Sequence, residues 1–212
     1  MSDPIAAIKE WVIKGKKNEA LAATKEALAG GADPGAIMKD GLIGAMSVVG
    51  QKYSSGEFFL PQMMIAARAM TEVIPLLKPL LVGAAAEAKG KAVIGTVQGD
   101  FHDIGKNIVK MMLEGAGYQV IDLGVDVPAE KFVETVRNEA PQFVLMSALI
   151  TLTMESMRRT IAALDAAGLR SGVKVGVGGA PLTHKFAAEI GADFYSEDAY
   201  GCVQRCNDYV AA

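Results

Sequence analysis

The stretch that decides the fold is Gly99-Asp100-Phe101-His102-Asp103-Ile104-Gly105-Lys106-Asn107. An apolar run, 92–97, leads into this stretch, and an apolar-periodic segment, 104–113, leads out of it. The pattern predicts a buried strand, a polar loop bounded by glycines, and then a helix. Ligands of open α/β sheets bind at the carboxyl ends of strands. The sequence therefore predicts a ligand site in this loop.

The loop places one of the two histidines of the chain, His102, two residues after Asp100. A neutral imidazole nitrogen can bind a metal, and Asp100 can accept the other ring N–H, which fixes the tautomer. On spacing alone, a solvated loop with a capping carboxylate is about as good an interpretation. Both interpretations stay open at this point.

The residues after Ala92 alternate between strand and helix patterns. Strands are predicted at about 92–97, 118–122, 142–147, 173–177 and 192–195, and a last helix at roughly 197–211. Five strands that alternate with helices indicate a parallel sheet that is covered on both faces.

The residues before Ala92 favour helices. Asp3-Pro4 and Asp33-Pro34 are typical helix starts, Gly30-Gly31 is a stop signal, and apolar residues recur at helical spacing. Four such helices with short loops predict a bundle. Small and charged residues at 83–91 predict a linker, and we place the domains at 1–88 and 89–212.

Composition narrows the classes of function. The net charge is −3 and no cluster of Lys and Arg occurs, which argues against a nucleic-acid partner. No apolar run reaches the roughly 18 to 20 residues of a membrane span, and the N-terminus lacks a signal-peptide pattern, so we expect no membrane partner and a cytoplasmic location. Cys202 and Cys206 lie four apart in the last predicted helix, and we expect reduced structural thiols there rather than a zinc site.

The motif Asp100-x-His102-x-x-Gly105 resembles the Asp-x-His-x-x-Gly signature of cobalamin-binding domains, and 97–109 is similar to that of methionine synthase and of the small corrinoid proteins of methyltransferase systems. The resemblance implies that the cofactor is cobalamin or a related corrinoid, with methylcobalamin as its methylated form. It implies that His102 is the lower axial ligand of cobalt and that Asp100 is its hydrogen-bond partner. The loop residues that it implies as cofactor-binding are Gly99, Asp100, His102, Asp103, Ile104 and Gly105.

Two later motifs extend the resemblance. Ser147-Ala148-Leu149 resembles the Ser-x-Leu of this family, which implies that Ser147, Leu149 and Thr151 flank the nucleotide tail of the cofactor. Thr153 matches a serine whose hydroxyl completes a relay with histidine and aspartate, so Asp100 and Thr153 are its implied catalytic members. Without the family, hydroxyl groups after a strand are more often helix caps.

Gly178 and Gly179 match a glycine pair that lines the channel for the cofactor tail. Taken alone, the pair also suits a tight turn between strand and helix.

The predicted bundle carries a fourth similarity. The segment Phe58–Met64 resembles a segment of methionine synthase whose apolar side chains cover the upper face of the corrin. The resemblance implies that Tyr53, Phe59, Leu60 and Met63 form this lid and bind the cofactor. Apolar residues at helical spacing are usually plain core, which is the alternative.

The resemblance covers nearly the whole chain. It implies a four-helix bundle followed by a Rossmann-like (flavodoxin-like), doubly wound, five-stranded parallel sheet. It also implies a methyl carrier, which accepts a methyl group on Co(I) from a substrate:corrinoid methyltransferase. The carrier delivers it from methyl-Co(III) to a second methyltransferase, with tetrahydrofolate or coenzyme M as acceptor, and a reductive activation protein is the third implied partner.

Such a carrier is a subunit of a methyltransferase system rather than a complete catalyst. The alternatives are a cobalamin-dependent sensor and the small subunit of an adenosylcobalamin mutase. The first usually adds a DNA-binding or signalling module, and the second leaves the predicted bundle unexplained. The methyl donor stays open among methylamines, quaternary amines, methanol and methoxylated aromatics.

Overall fold

The computed structural model describes residues 3–81 and 88–211. The chain divides into two compact units. The first takes in the residues up to Glu87 together with Gly115–Gly117, and the second takes in the rest from Ala88 onward. Most of the predicted linker lies outside the described residues, and Lys91 already belongs to the first strand. The exact boundary between 88 and 89 stays a prediction.

The first unit begins where the sequence predicts. Helix α1 is Pro4–Ile13, and the Asp3 carboxylate accepts the N–H of Ile5 at 3.0 Å while Pro4 occupies the first turn. Helix α2 is Lys17–Ala29, followed by Gly30 as the C-cap. Both ends follow from ordinary capping chemistry.

The third predicted helix contains a stretch that the sequence did not indicate. Helix α3 (Pro34–Ala36), a π-helix (Ile37–Ile43) and α4 (Gly44–Ser54) follow one another without a break. Helix α5, Leu60–Leu77, holds Pro75 within it and is followed by a 3-10 turn, Lys78–Leu80. Helix α1 packs on α2 and α4, and α5 packs on α2 and α4. The helical bundle is confirmed.

The second unit alternates strand and helix throughout. Its strands are β1 (Lys91–Thr96), β2 (Gln119–Asp122), β3 (Phe143–Ser147), β4 (Lys174–Gly178) and β5 (Phe194–Ser196). Its helices are α6 (Ile104–Gly115), α7 (Ala129–Glu139), α8 (Met154–Ala166), α9 (His184–Glu189) and α10 (Ala199–Ala211). The predicted strand limits are off by one or two residues, as is usual for element ends.

All five strands are parallel, in the order β2-β1-β3-β4-β5. This is the doubly wound, flavodoxin-like order that the family resemblance implies, and the direction of winding reverses between β1 and β3. The register places Thr96 beside Ser147, Ser147 beside Gly178, and Gly178 beside Ser196. The loops that follow β1 and β3 therefore meet at one edge of the sheet.

The core of the second unit explains the apolar runs of its sequence. The central strands are buried on both faces, with Val93, Val144 and Val175 fully enclosed. Such strands read as continuous apolar runs rather than as alternating ones. Cys202 and Cys206 are buried in α10 with free thiols. Within the described ranges, no helix has the length and apolar character to cross a membrane.

Candidate functional site

Asp100 is the centre of the predicted site. Its side chain lies in the loop between β1 and α6 and is fully buried. One carboxylate oxygen accepts the Thr153 hydroxyl at 2.8 Å and the Leu149 N–H at 2.7 Å. The other accepts the backbone N–H of His102 at 3.1 Å and lies 2.7 Å from its ring Nδ1. The Ile150 N–H lies 3.4 Å from the first of these oxygens, so five donors from two loops converge on one carboxylate.

These donors decide the charge of Asp100. Burial by itself would raise the pKa of this carboxyl. The N–H groups of Leu149 and His102, the His102 ring and the Thr153 hydroxyl outweigh burial and hold the pKa well below its usual range. A carboxylate that accepts several hydrogen bonds is stabilised in its ionised form. Asp100 is therefore an anion at neutral pH.

The imidazole ring of His102 is fixed through one nitrogen and exposed at the other. Its Nδ1 is bonded to the ionised Asp100, so Nδ1 carries the proton in the neutral ring and Nε2 keeps its lone pair. The side chain is 54% exposed. Among the described residues Nε2 has no hydrogen-bond partner, and it is the ring atom available to a metal.

The backbone around His102 is held by the strand before it. The Thr96 hydroxyl donates to the carbonyl of His102 at 2.8 Å, and Gly99 has a φ of +86°, which allows the chain to turn. Asp103 accepts the backbone and side-chain N–H groups of Asn107 at 2.8 and 3.0 Å and so starts α6. Ile104 and Gly105 follow in the exposed first turn.

The loop after β3 supplies the other half of the site. Ser147 ends the strand, and Leu149 and Thr153 bond to Asp100 as described. Thr153 makes no capping bond to α8, so the helix-cap interpretation does not account for its hydroxyl. Thr151 opens a 3-10 turn, Thr151–Thr153, and is exposed. The structure thus brings Asp100, His102 and Thr153 together.

The packing of the protein itself requires the second glycine of the pair after β4. Gly179 has a φ of +132°, and a Cβ there would lie 1.8 Å from the carbonyl oxygen of Ala148. A Cβ on Gly178 would lie 3.1 Å from the carbonyl oxygen of Ser196. The tight turn considered in the sequence analysis therefore explains Gly179 without a ligand, whereas a small shift of the Ser196 carbonyl would make room for a Cβ at 178.

Two further features of this edge point to a ligand: an unpaired hydroxyl group and a set of exposed apolar side chains, of which Ile104 and Leu149 are already expected to bind the cofactor. Ser196 Oγ is buried and has no hydrogen-bond partner within the described part of the chain. Large apolar side chains lie exposed in and directly after the two loops. This apolar rim consists of Phe101, Ile104, Leu149, Ile150 and Leu152, which are 70%, 73%, 44%, 40% and 87% exposed.

The apolar rim and the open imidazole suit the same kind of group. Exposed apolar side chains that lie together mark a binding surface, and the rim residues belong to the histidine loop and to the loop after β3 that bonds to Asp100. A large, mostly apolar ring that carries its own metal would cover the rim and use His102 Nε2. The residues present therefore fit a corrinoid.

The four lid residues expected in the first unit differ in accessibility. Phe59 is 65% exposed, and Tyr53 and Leu60 are half-buried. Met63 is buried. The plain-core alternative thus suits Met63, whereas Phe59 is free to contact a ligand.

Known proteins support this interpretation over the whole chain. A family model described as a B12 binding domain matches residues 90–203, and a second model with the same description matches residues 4–78. Dimethylamine corrinoid protein 1 of Methanosarcina acetivorans is 44% identical over 201 residues, which cover 94% of each chain.

Solved structures agree with the sequence comparisons. A chain of the methanol:cobalamin methyltransferase complex from Methanosarcina barkeri superposes with a TM-score of 0.91 at 32% identity, covering 100% of this chain and 81% of that one. A cobalamin-binding protein from Desulfitobacterium hafniense superposes with a TM-score of 0.81 at 33% identity, covering 99% of both. The chain described here therefore belongs to the B12-binding domain family.

Proposed function

We propose that this protein is a corrinoid methyl carrier of a methyltransferase system. The observation that carries the proposal is the exposed His102 imidazole, whose Nδ1 is fixed by a buried, ionised Asp100. This arrangement leaves Nε2 free beside the apolar rim. The relatives support the same function, since they are named dimethylamine and trimethylamine corrinoid proteins.

The residues of the site have distinct tasks under this proposal. When bound, the corrinoid supplies a cobalt centre that takes up and releases a methyl group. His102 binds cobalt through Nε2, and Asp100 holds the ring in the required tautomer and makes it a stronger donor. Thr153 and the Leu149 N–H keep Asp100 ionised and in place. The proton on His102 Nδ1 is donated to the Asp100 carboxylate at 2.7 Å.

The other predicted residues surround the cofactor. Gly99, Asp103, Ile104 and Gly105 lie against it in the histidine loop, and Ser147, Leu149, Thr151, Gly178 and Gly179 flank its nucleotide tail. We add Ser196, whose unpaired hydroxyl is available for a hydrogen bond to that tail. Tyr53, Phe59, Leu60 and Met63 keep their proposed role as the lid over its upper face, where an apolar cover excludes water.

The proposed partners follow from carrier function. One is a methyltransferase that loads the methyl group, and the solved relative comes from a methanol:cobalamin methyltransferase complex. Methylamines are the first donors to test, because relatives 41–44% identical are named for dimethylamine and trimethylamine. A second methyltransferase with tetrahydrofolate or coenzyme M as acceptor, a reductive activation protein and a cytoplasmic location complete the proposal.

The ligand role of His102 can be tested by electron paramagnetic resonance of the Co(II) form. The ligand nitrogen splits the lines of the Co(II) signal (superhyperfine splitting). In protein labelled with ¹⁵N-histidine, this splitting changes from the ¹⁴N to the ¹⁵N pattern if a histidine nitrogen is bound to cobalt. We expect this change in the wild type and its loss in His102→Ala. Since the chain has only two histidines, His184→Gln is the matched control and keeps the histidine signal.

Carrier activity needs a second measurement. The reconstituted protein is reduced with Ti(III) and treated with methyl iodide, and its absorption spectrum should convert to that of the methylated cofactor. A protein that retains no corrinoid would contradict the proposal. An adenosyl group found as the upper ligand after purification would contradict it in favour of mutase chemistry.

A further inference from the structure

Asp126, between β2 and α7, has a backbone conformation that is unfavourable for most residues. Its φ is +54°, a left-handed conformation that costs free energy for any residue with a Cβ. Aspartate tolerates it better than most residues, yet such conformations persist only where the surroundings hold them. The side chain is exposed, so packing does not account for it.

Two hydrogen bonds hold Asp126 against the histidine loop. Its carboxylate accepts the N–H of Gly99 at 2.7 Å, and its own N–H donates to the carbonyl of Asp100 at 2.9 Å. The two bonds fix the backbone of Gly99 and Asp100 from one side. The Thr96 hydroxyl fixes the carbonyl of His102 beyond them.

The segment that carries Asp126 is itself anchored. The Thr96 N–H donates to the Gly124 carbonyl at 3.0 Å, and the Val127 N–H donates to the Thr96 carbonyl at 3.0 Å. Asp122 accepts the Gly124 N–H at 2.9 Å, and both its oxygens accept the buried Lys106 ammonium of α6, at 2.7 and 2.8 Å. Asp126 therefore presents its carboxylate from a fixed support.

We infer that Asp126 is a positioning residue: it fixes the Gly99–Asp100 backbone, and through it the Asp100–His102 pair, before any cofactor binds. A displaced Asp100 would lose its 2.7 Å contact with His102 Nδ1, and the imidazole would then populate both neutral tautomers. The geometric inference concerns the cofactor-free protein, and only its consequence for cobalt ligation rests on the proposed function.

The test uses two variants that separate backbone from side chain. Asp126→Gly allows the left-handed backbone but removes the acceptor for the Gly99 N–H. Asp126→Asn keeps a side-chain oxygen as acceptor and tolerates the same backbone. Asp33→Ala is the matched control, since it removes a carboxylate that accepts one backbone N–H, that of Ala36, in the first unit.

The readout is the ¹⁵N chemical shift of the His102 ring nitrogens in the cofactor-free, full-length protein above neutral pH. We expect the wild type, Asp126→Asn and Asp33→Ala to hold the Nδ1–H tautomer. In Asp126→Gly, the population ratio of the Nδ1–H tautomer to the Nε2–H tautomer should fall roughly tenfold, because one ordinary hydrogen bond contributes about that factor to an equilibrium constant. If Asp126→Gly does not fold, Asp126→Glu, which moves the carboxylate by one methylene group, takes its place with the same expectation.

An unchanged tautomer ratio in the variant that lacks the acceptor would overturn the inference, as would failure of Asp126→Asn to restore the wild-type ratio. A protein that holds no corrinoid would refute the proposed function and leave this measurement intact. In the loaded protein, we expect the histidine splitting on Co(II) to weaken in Asp126→Gly and to persist in Asp126→Asn.

Discussion

At the scale of single residues, the short sequence motif accounts for only part of the surroundings of Asp100. The sequence analysis pairs it with His102, because the two lie two positions apart in a loop, and the structure brings them to 2.7 Å. The donors from Leu149 and Thr153 come from about 50 residues away. Only the resemblance to a known family indicated Thr153, and no signal in the sequence indicated the Leu149 N–H.

The first prediction concerns Asp100→Asn. In either orientation, the amide nitrogen would face a backbone N–H as a donor facing a donor, that of Leu149 on one side or that of His102 on the other. Because the site is buried, we expect the free energy of unfolding to fall by about 2 kcal/mol at neutral pH. Urea unfolding followed by circular dichroism measures this loss.

The same variant should change how stability depends on pH. The pKa of Asp100 is lowered in the folded protein, so its ionised form stabilises the fold above the unfolded pKa of about 3.9, and this contribution is lost as the pH falls below it. The difference in the free energy of unfolding between the wild type and Asp100→Asn should therefore begin to narrow below about pH 5 and keep narrowing as the pH falls toward the lowered pKa of the folded state. A difference in the free energy of unfolding that does not change with pH would contradict the ionised state of Asp100. Asp33→Asn, which keeps an N-cap acceptor, should stay close to the wild type at each pH.

At the scale of elements, the loops after β1, β3 and β4 are fixed by one another. The strand register aligns Thr96, Ser147, Gly178 and Ser196 across the edge of the sheet. The turn after β4 passes so close to Ala148 that only a glycine fits at 179. The family resemblance implies that the glycine pair lines the cofactor channel, with a tight turn as the alternative, and the structure adds a constraint on Gly179 from the neighbouring loop.

The second prediction tests that constraint. Gly179→Ala places a methyl group 1.8 Å from the Ala148 carbonyl oxygen, so the backbone must move, and we expect a loss of about 3 kcal/mol in the free energy of unfolding. Gly178→Ala, with a nearest approach of 3.1 Å, should cost less. Gly172→Ala has no atom within 4 Å of the added Cβ and serves as the control. Chemical unfolding that ranks all three alike would contradict the close approach of the two loops.

At the scale of the whole molecule, the chain consists of two compact units with different tasks under the proposed function. The second unit holds the histidine loop, the apolar rim and the glycine turn. The first holds the residues proposed as the lid. Of these, Phe59 is the most exposed, and it can therefore be changed without disturbing a core.

The third prediction concerns this lid. Phe59→Ala should leave the free energy of unfolding within about 0.5 kcal/mol of the wild type, because the side chain is exposed. If Phe59 covers the upper face of the cofactor, the reduced cobalt should oxidise several-fold faster in air in this variant, as followed by absorption. Leu80→Ala, which also removes an exposed apolar side chain of the first unit, should oxidise at the wild-type rate. Equal rates in all three proteins would rule out the lid role of Phe59.

The sequence by itself determined which segments are strands and which are helices, and in what order they follow. Strands buried on both faces give continuous apolar runs, and amphipathic helices give apolar residues at helical spacing. The sequence also determined the histidine loop, because Asp100, His102 and Gly105 are local in the chain. Only the tertiary structure showed which distant groups stabilise the ionised form of Asp100 and why residue 179 must be a glycine. It also showed that the Ser196 hydroxyl has no partner among the described residues and that the exposed Asp126 holds the histidine loop in place. Those facts depend on loops that follow separate strands and meet only when the parallel sheet forms, and contacts of that kind leave no periodicity or spacing in the chain.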